Sequence, residues 1–347
     1  MASEQQQQES YTVKVGTRRS ALAMAQTNLV IAALSKAAGT SVKFEVHSMA
    51  TMGDRDTTTP LPSLGKGLWT SELEAKLMNK EVDVIVHSLK DMPTSLPEGC
   101  VLGAVTLRED ARDVVVFPKH QGGKYKALKD LPEGSVVGTS SVRRAAQLKR
   151  SYKGLVFRDV RGNIDTRLAK CDEEGGQYDA IILAAAGLLR LGYDERIGQF
   201  LDSSTEGGGL LHAVGQGALG LEIREGDEKI ERLIQAAIDR DTMVAAFAER
   251  SVMRRLEGGC SVPIGVETKW VEDQGEKKLR LKVTVVSLDG KKAVDGERTE
   301  KIESLEEAEA LGKSLAEKLA AEGAQEILNV INKLRDSAPG ALKVSDA

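Results

Sequence analysis

The chain is poor in cysteine, histidine and aromatic residues. Its 347 residues include three cysteines and four histidines, namely Cys100, Cys171, Cys260, His47, His87, His120 and His212. The number of cysteines is odd, and none is spaced like a metal ligand, which argues against a disulfide framework and a zinc site. The sequence therefore predicts free thiols in a reducing compartment and no bound metal.

Long apolar runs and a strong net charge are also missing. No uninterrupted apolar run reaches the roughly 18 residues of a membrane span. The first ten residues, MASEQQQQES, lack the apolar core of a signal peptide. The net charge of -4 does not favour a nucleic acid as partner. We expect a cytoplasmic protein that acts on a small molecule, with neither a membrane nor a nucleic acid as partner.

Strand and helix patterns alternate along most of the chain. The segment Tyr11–Gly16 is β-branched and predicts a strand, and Ser20 is suited to cap a following helix that Gly39 closes. Ser71 and Glu74 have the spacing of a capping box, which predicts another helix. Strands that alternate with helices predict parallel sheets with crossover connections.

The patterns divide the chain into three parts. Two α/β lobes come first, and after Cys260 the strands alternate in hydrophobicity, with Asp289–Gly290 as a hairpin turn. We predict a first lobe over residues 1–108 and 216–239, a second lobe over 109–215, and a third domain over 240–347. The third domain is expected to be a small α+β unit with an antiparallel sheet.

Basic side chains stand where the predicted strands end, which is where open α/β sheets bind ligands. They are Arg18, Arg19, Lys90, Arg143, Arg144, Arg161, Arg167 and Arg190. Helix N-termini and arginine forks bind carboxylates and phosphates. The phosphate-loop and dinucleotide-binding glycine patterns do not occur. The cleft between the lobes is therefore predicted to bind a small polyanion.

Two further residues invite a functional interpretation. Asp91 could cap a turn, or it could stabilise a developing cation while arginines hold the acids of a substrate. Cys260, in LEGGCSVPIG, could be a buried structural thiol, a nucleophile beside Arg254 and Arg255, or a covalent attachment point on a glycine-rich loop. A non-catalytic anion-binding module would need neither residue. An acyl-transferring thiol enzyme would need a histidine near Cys260.

Eight motifs resemble those of the porphobilinogen deaminase (hydroxymethylbilane synthase) family. In chain order they are GTRRSALAMAQT, VHSLKDMPT, REDARDVVV, VVGTSSVRRAAQL, RGNIDTRL, AIILAAAGLLRLG, AVGQGALGLE and LEGGCSVPIG. The resemblance implies two lobes like those of periplasmic binding proteins and a cofactor-carrying third domain. It implies a monomeric transferase that joins four porphobilinogen molecules head to tail and releases ammonia and hydroxymethylbilane.

The same resemblance implies the site residues. Cys260 would hold a dipyrromethane primer through a thioether, and Asp91 would be the catalytic aspartate with Lys90 beside it. The implied cofactor-binding residues are Lys66, Ser88, Thr139, Ser140, Ser141, Arg143, Arg144, Arg161 and Gln216. The implied substrate carboxylate-binding residues are Arg18, Ser20, Arg161, Arg167 and Arg190. Pro62 stands where many members have a lysine, four positions before Lys66, so this position supplies none.

Overall fold

The computed structural model describes residues 11–52, 70–256 and 262–336. The strands are β1 (Tyr11–Arg18), β2 (Val42–Met49), β3 (Val84–Ser88), β4 (Cys100–Val105), β5 (Asp113–Val116), β6 (Val136–Gly138), β7 (Val156–Arg158), β8 (Ala180–Ala184), β9 (Gln199–Leu201), β10 (Leu219–Arg224), β11 (Ile264–Asp273), β12 (Glu276–Val286) and β13 (Ala293–Glu300). The helices are α1 (Ala21–Ala38), α2 (Ser71–Met78), α3 (Val142–Ser151), α4 (Ile164–Asp172), α5 (Ala185–Arg190), α6 (Glu228–Ile234), α7 (Arg240–Arg255), α8 (Leu305–Leu319) and α9 (Gln325–Asp336).

The first lobe contains a five-stranded sheet in the order β2-β1-β3-β10-β4. Strand β1 is parallel to β2 and β3, as the strand–helix alternation predicts. Strand β10 is antiparallel to both β3 and β4, so the expectation of an all-parallel sheet is wrong. The reason is that β10 enters from the second lobe without a crossover helix, and its direction is therefore reversed.

The second lobe repeats this arrangement in the order β7-β6-β8-β5-β9. Strand β6 is parallel to β7 and β8, while β5 is antiparallel to β8 and β9. The chain therefore crosses between the lobes twice, from β4 to β5 and from β9 to β10. Glu109 N donates to Gly217 O at 3.1 Å, so the two crossing segments lie side by side. The domain limits given above stay a prediction.

Helix α1 is bounded as its sequence predicts. The Ser20 hydroxyl accepts a hydrogen bond from Ala23 N, and Gly39 ends the helix with a φ of 62°. Among the described residues, the segment Ala21–Ser41 is long and apolar enough to cross a membrane by length and composition. Its Val30 and Leu34 are buried in the core of the first lobe, as in the core helix of a globular domain.

The capping box predicted for helix α2 is wrong. The helix begins at Ser71, and the N-cap position belongs to Thr70, one residue earlier. Glu74 lies in the first turn, where burial raises the pKa of its carboxyl and the Thr70 side chain acts to lower it.

The third domain is the expected small α+β unit. Its three strands form an antiparallel sheet in the order β11-β12-β13. Leu279, Leu281, Val283 and Val285 alternate along β12 and are all buried against the helices. Asp289–Gly290 lies in the turn between β12 and β13, where Gly290 has a φ of 75° that favours glycine. The predicted fold class, two α/β lobes and this domain, is confirmed.

Candidate functional site at the cleft between the two lobes

The carboxyl end of β3 presents Lys90 and Asp91. The strand runs directly into a 3₁₀ turn, Leu89–Asp91. Leu89 is buried, and its N–H donates to Ala218 O at 3.0 Å, which fixes the turn against the start of β10. Ser88 exchanges hydrogen bonds with the Gln26 side chain of helix α1 at 2.8 and 3.1 Å. The turn is thus held on both sides.

Arg18 and Ser20 lie at the neighbouring strand end. Strand β1 pairs with β3 in parallel, so the carboxyl ends of both strands meet at one edge of the sheet. Arg18 closes β1, and Ser20 is occupied as the N-cap of α1. These two residues therefore share an edge of the first lobe with Lys90 and Asp91.

Asp91 does not act as a turn cap. The tripeptide Leu-Lys-Asp occurs a second time as the 3₁₀ turn Leu128–Asp130. There the Asp130 carboxylate accepts hydrogen bonds from Lys126 N at 3.0 Å and Ala127 N at 2.9 Å. Among the described residues no main-chain N–H makes a comparable bond to the Asp91 carboxylate. The capping interpretation left open by the sequence is therefore disfavoured.

Lys90 faces the basic residues of the second lobe. The residue as a whole is partly exposed. Burial of its ammonium group lowers the pKa of Lys90 to about 8. Asp91 and Asp113 act to raise this pKa, whereas Arg144 and Arg143 act to lower it. Charged groups from both lobes therefore contribute to the environment of the Lys90 ammonium.

Arg167 reaches the same place from helix α4. Burial, and next the charge of Arg144, lower the pKa of Arg167 to about 10, while Asp91 acts to raise it. Its Nε donates to Gly162 O at 2.7 Å, and the charge of Arg161 also acts on it. We call the converging residues the interlobe cluster: Lys90, Asp91, Asp113, Arg143, Arg144, Arg161 and Arg167.

Asp113 is a member of this cluster to which the sequence analysis assigned no role. It is fully buried at the start of β5 and accepts from Arg143 Nη1 at 2.7 Å and Arg144 Nη2 at 2.7 Å. Burial acts to raise the pKa of Asp113, but the two arginines outweigh it and hold the pKa well below its usual range. One sequence feature could have indicated Asp113: it directly precedes the three valines at the end of REDARDVVV, so a carboxylate begins a buried strand.

The two arginines are fixed by further main-chain contacts. Arg143 Nη1 also donates to Leu211 O at 2.6 Å, and Arg144 Nη1 donates to Ile182 O at 2.9 Å. A guanidinium carries five N–H donors. Both arginines therefore retain donors beyond the bonds they make to the described residues, and both are held in one orientation.

We expect Asp113→Asn to lower the free energy of unfolding by about 3–5 kcal/mol, because it leaves two buried arginines without their counter-charge. The folded pKa of Asp113 is depressed, so its contribution is present above the unfolded pKa of roughly 4 and is lost as the pH falls below it. Urea unfolding at pH 7 measures the effect.

The matched control for this prediction is Asp295→Asn. Asp295 also pairs with an arginine, Arg150, but both side chains are about half exposed. Exposed pairs contribute only about 0–1 kcal/mol. If Asp113→Asn cost no more than this control, Asp113 would not be the anchor of the two arginines.

The segment Thr139–Ser141 follows β6 and lies beside the end of β7. Thr139 N donates to Arg158 O at 2.8 Å, and the Ser140 hydroxyl donates to Val160 O at 2.9 Å. The Ser141 side chain caps helix α3, which begins at Val142. This segment places the positive N-terminal end of α3 next to Arg161 in the cleft.

Gln216 and Arg190 lie at the crossing between the lobes. The Gln216 amide donates to Ala111 O at 2.7 Å and to Asp113 Oδ1 at 3.0 Å, so it joins both crossing segments to the interlobe cluster. Arg190 donates to Gly217 O at 2.6 Å, and burial lowers its pKa. Gln216 therefore contacts the interlobe cluster directly, whereas the hydrogen bond of Arg190 to Gly217 is to a neighbour of the cluster.

Cys260 and Lys66 lie outside the described residues, as does Pro62. On either side of the Cys260 segment, Leu256 and Val262 are buried in the core of the third domain. Cys100 and Cys171 are buried free thiols, and burial raises their pKa values to about 11 and about 12. Both are poorly suited to covalent chemistry because the thiolate is the reactive form.

Two family models match nearly the whole chain. The model described as "Porphobilinogen deaminase, dipyromethane cofactor binding domain" matches residues 13–232. The model described as "Porphobilinogen deaminase, C-terminal domain" matches residues 243–321. Their boundary falls between the two lobes and the third domain.

Curated relatives named porphobilinogen deaminase align over almost their full length. The protein from Neurospora crassa is 68% identical over 337 residues, which cover 96% of this chain and 98% of the relative. The protein from Saccharomyces cerevisiae is 48% identical over 327 residues, covering 92% and 97%. Among solved structures, the methionine binding protein MetQ aligns with a TM-score of 0.39 and 12% identity, over 67% of this chain and 91% of that one.

Proposed function

The chain belongs to the porphobilinogen deaminase family, and we propose here the parts that its residues play in that reaction. The chain is a transferase that joins four porphobilinogen molecules on a dipyrromethane cofactor and releases hydroxymethylbilane. This activity excludes the alternative of a non-catalytic anion-binding module. It also removes the reason to seek a histidine partner for Cys260.

The observation that carries the proposal is the placement of Asp91 opposite the arginines of the second lobe. The interlobe cluster combines five cationic side chains with two carboxylates. Asp113 is committed to Arg143 and Arg144, which leaves Asp91 as the cluster's other carboxylate. Each porphobilinogen brings an acetate and a propionate, so the surplus of positive charge suits several such units in one cleft.

The cluster fits a bound dipyrromethane. Arg143, Arg144 and Arg161 would hold its carboxylates, and Ser88 and Thr139–Ser141 border the same cleft. The Gln216 Oε1 atom is buried and has no hydrogen-bond partner among the described residues. A pyrrole N–H is a donor that could satisfy this acceptor. We propose Cys260 as the attachment point, and Lys66 as a further contact.

The catalytic role follows from charge. When bound, dipyrromethane would supply the free terminal pyrrole carbon to which the first unit is joined, and each later unit would join the ring added before it. Loss of ammonia leaves positive charge on the incoming porphobilinogen, and Asp91 provides the negative charge that stabilises it. Arg18, Ser20, Arg167 and Arg190 would hold the carboxylates of the substrate and the growing chain, which fixes the reacting carbon atoms in position.

We further propose that the protein is a cytoplasmic monomer with no membrane or nucleic acid partner. The cytoplasmic location is supported by the unpaired thiols of Cys100 and Cys171, which suit a reducing compartment. The monomeric state is checked by sedimentation of the purified protein. A concentration-dependent dimer would contradict it.

A pH profile tests whether the charge of Lys90 is used. Its pKa is about 8, so Lys90 is an ammonium below that pH and loses its charge above it. We expect kcat/KM to fall as the pH rises through about 8. Lys90→Arg should move this decline to higher pH, because a guanidinium stays protonated there.

The control for the pH profile is Lys36→Arg at the exposed end of helix α1. It should reproduce the wild-type profile. An unchanged alkaline decline in Lys90→Arg would assign that titration to another group and remove Lys90 from the proposed machinery.

A further inference from the structure

We propose that Arg250, on helix α7 of the third domain, is a positioning residue that holds the catalytic turn carrying Asp91. This inference deepens the proposed function and rests on Asp91 being the catalytic carboxylate. It concerns a residue outside the cleft arginines discussed so far.

Arg250 reaches the chain immediately after Asp91. The side chain is almost fully buried, with 3% exposure. Its Nη1 donates to Met92 O at 3.3 Å, and its Nη2 donates to Pro93 O at 2.6 Å. One guanidinium therefore spans two successive carbonyl groups of a segment that has no regular secondary structure. The two Nη groups of a planar guanidinium are suited to a pair of neighbouring acceptors.

Neighbouring positions on the same helix face contact the same turn. Residues 246, 250 and 254 are four apart and so lie in one row along α7. Ala246 packs in a buried cluster with Leu89 and Met92. Arg254 Nη1 donates to Thr94 O at 3.3 Å. All three residues of this row thus contact the segment Leu89–Thr94, and Arg254 also pairs with Glu309.

Helix α7 also leads towards Cys260. It ends at Arg255, five residues before the cysteine. The helix that contacts the turn carrying Asp91 therefore comes directly before the Cys260 segment in the chain. Arg250 would keep the Asp91 carboxylate correctly placed relative to the reacting end of the growing pyrrole chain. Placement matters because an error of about 1 Å can cost roughly 10²-fold in rate.

The attachment of the third domain does not depend on Arg250. The adjacent Glu249 is buried and accepts from Arg108 Nη1 at 2.7 Å, from Gly215 N at 2.8 Å and from the Thr268 hydroxyl at 2.6 Å. This network ties α7 to both crossing segments. Loss of Arg250 should therefore loosen the catalytic turn while leaving the domain docked.

The test compares Arg250→Met and Arg250→Lys with the control Arg240→Met. Arg240 lies at the other end of α7, is exposed, and donates to a main-chain carbonyl, Glu303 O, at 2.7 Å. For each full-length variant, kcat, KM for porphobilinogen, intact mass and thermal midpoint are measured. We expect Arg250→Met to keep the cofactor mass and its KM within about 3-fold while kcat falls roughly 10–100-fold.

Arg250→Lys should recover part of kcat, since an ammonium can reach one carbonyl but not both. It also keeps the test decisive if the methionine variant does not fold. Normal kcat with only a lower thermal midpoint would make Arg250 a structural contact and overturn the proposal, as would a rise in KM alone. Wild-type protein that fails to consume porphobilinogen would instead overturn the proposed function.

Discussion

Asp91→Asn is expected to leave a folded protein that keeps its covalent cofactor and loses roughly 10²–10³-fold in kcat, the usual cost of one preorganised electrostatic contact. The substitution nearly preserves size, removes the negative charge and replaces one acceptor oxygen by an NH2 donor. Asp91 acts electrostatically on Lys90 and Arg167, so its charge is directed into the cleft. Without it, the one carboxylate left in the cluster is Asp113, which is already paired with Arg143 and Arg144.

The chain offers a matched control in its second Leu-Lys-Asp turn. Asp130→Asn changes the same residue in the same 3₁₀ context, but Asp130 caps its turn through two main-chain bonds. We expect Asp130→Asn to cost about 0.5–2 kcal/mol in stability and nothing in kcat. Turnover by Asp91→Asn near the wild-type rate would show that the Asp91 charge is not used. Steady-state kinetics with porphobilinogen, together with intact mass, distinguishes these outcomes.

Helix ends could be predicted from the sequence because they depend on residues close together in the chain. Ser20 and Gly39 bounded helix α1 correctly because a capping hydroxyl and a left-handed glycine act within a few residues. The Ser71 prediction was wrong by one residue because Thr70 is an equally suitable N-cap type. The capping-box spacing alone does not show which of two adjacent residues will be the N-cap.

The reversed strand β10 could not be predicted in the same way. It pairs with β3, more than a hundred residues earlier in the chain, and its direction depends on how the chain returns from the second lobe. Its sequence, LGLEIR, alternates apolar residues with Gly220, Glu222 and Arg224. This alternation predicts a strand, but it carries no information about which strand it pairs with or in which direction.

The candidate site was predicted in part. The rule that ligands bind at strand ends predicts one site for Lys90, Arg143, Arg144 and Arg167, and Arg144 acts electrostatically on both Lys90 and Arg167. Their roles stay a prediction. The rule could not show that Arg143 and Arg144 share one buried carboxylate, because Asp113 lies 30 residues before Arg143 and only the folded sheet joins them. Nor could it show Arg250, since a buried arginine on a helix resembles an ordinary surface charge in sequence.

The second large effect is expected at Cys260. Cys260→Ala should give a folded protein with no covalent chromophore and no turnover, because every step of chain growth is proposed to occur on a primer tethered to this sulfur. Cys100→Ala and Cys171→Ala serve as controls. Both thiols are buried and unreactive, so each substitution should cost only about 1–2 kcal/mol in stability and retain the chromophore.

Intact mass measured with limiting porphobilinogen tests the tethered mechanism most directly. Wild-type protein should exceed its sequence mass by two linked pyrrole units, and after mixing it should show discrete heavier species that differ by one ammonia-depleted porphobilinogen. Cys260→Ala should remain at its sequence mass throughout. The tethered mechanism would be contradicted if the wild-type protein kept a single mass at every substrate ratio while hydroxymethylbilane accumulated free in solution.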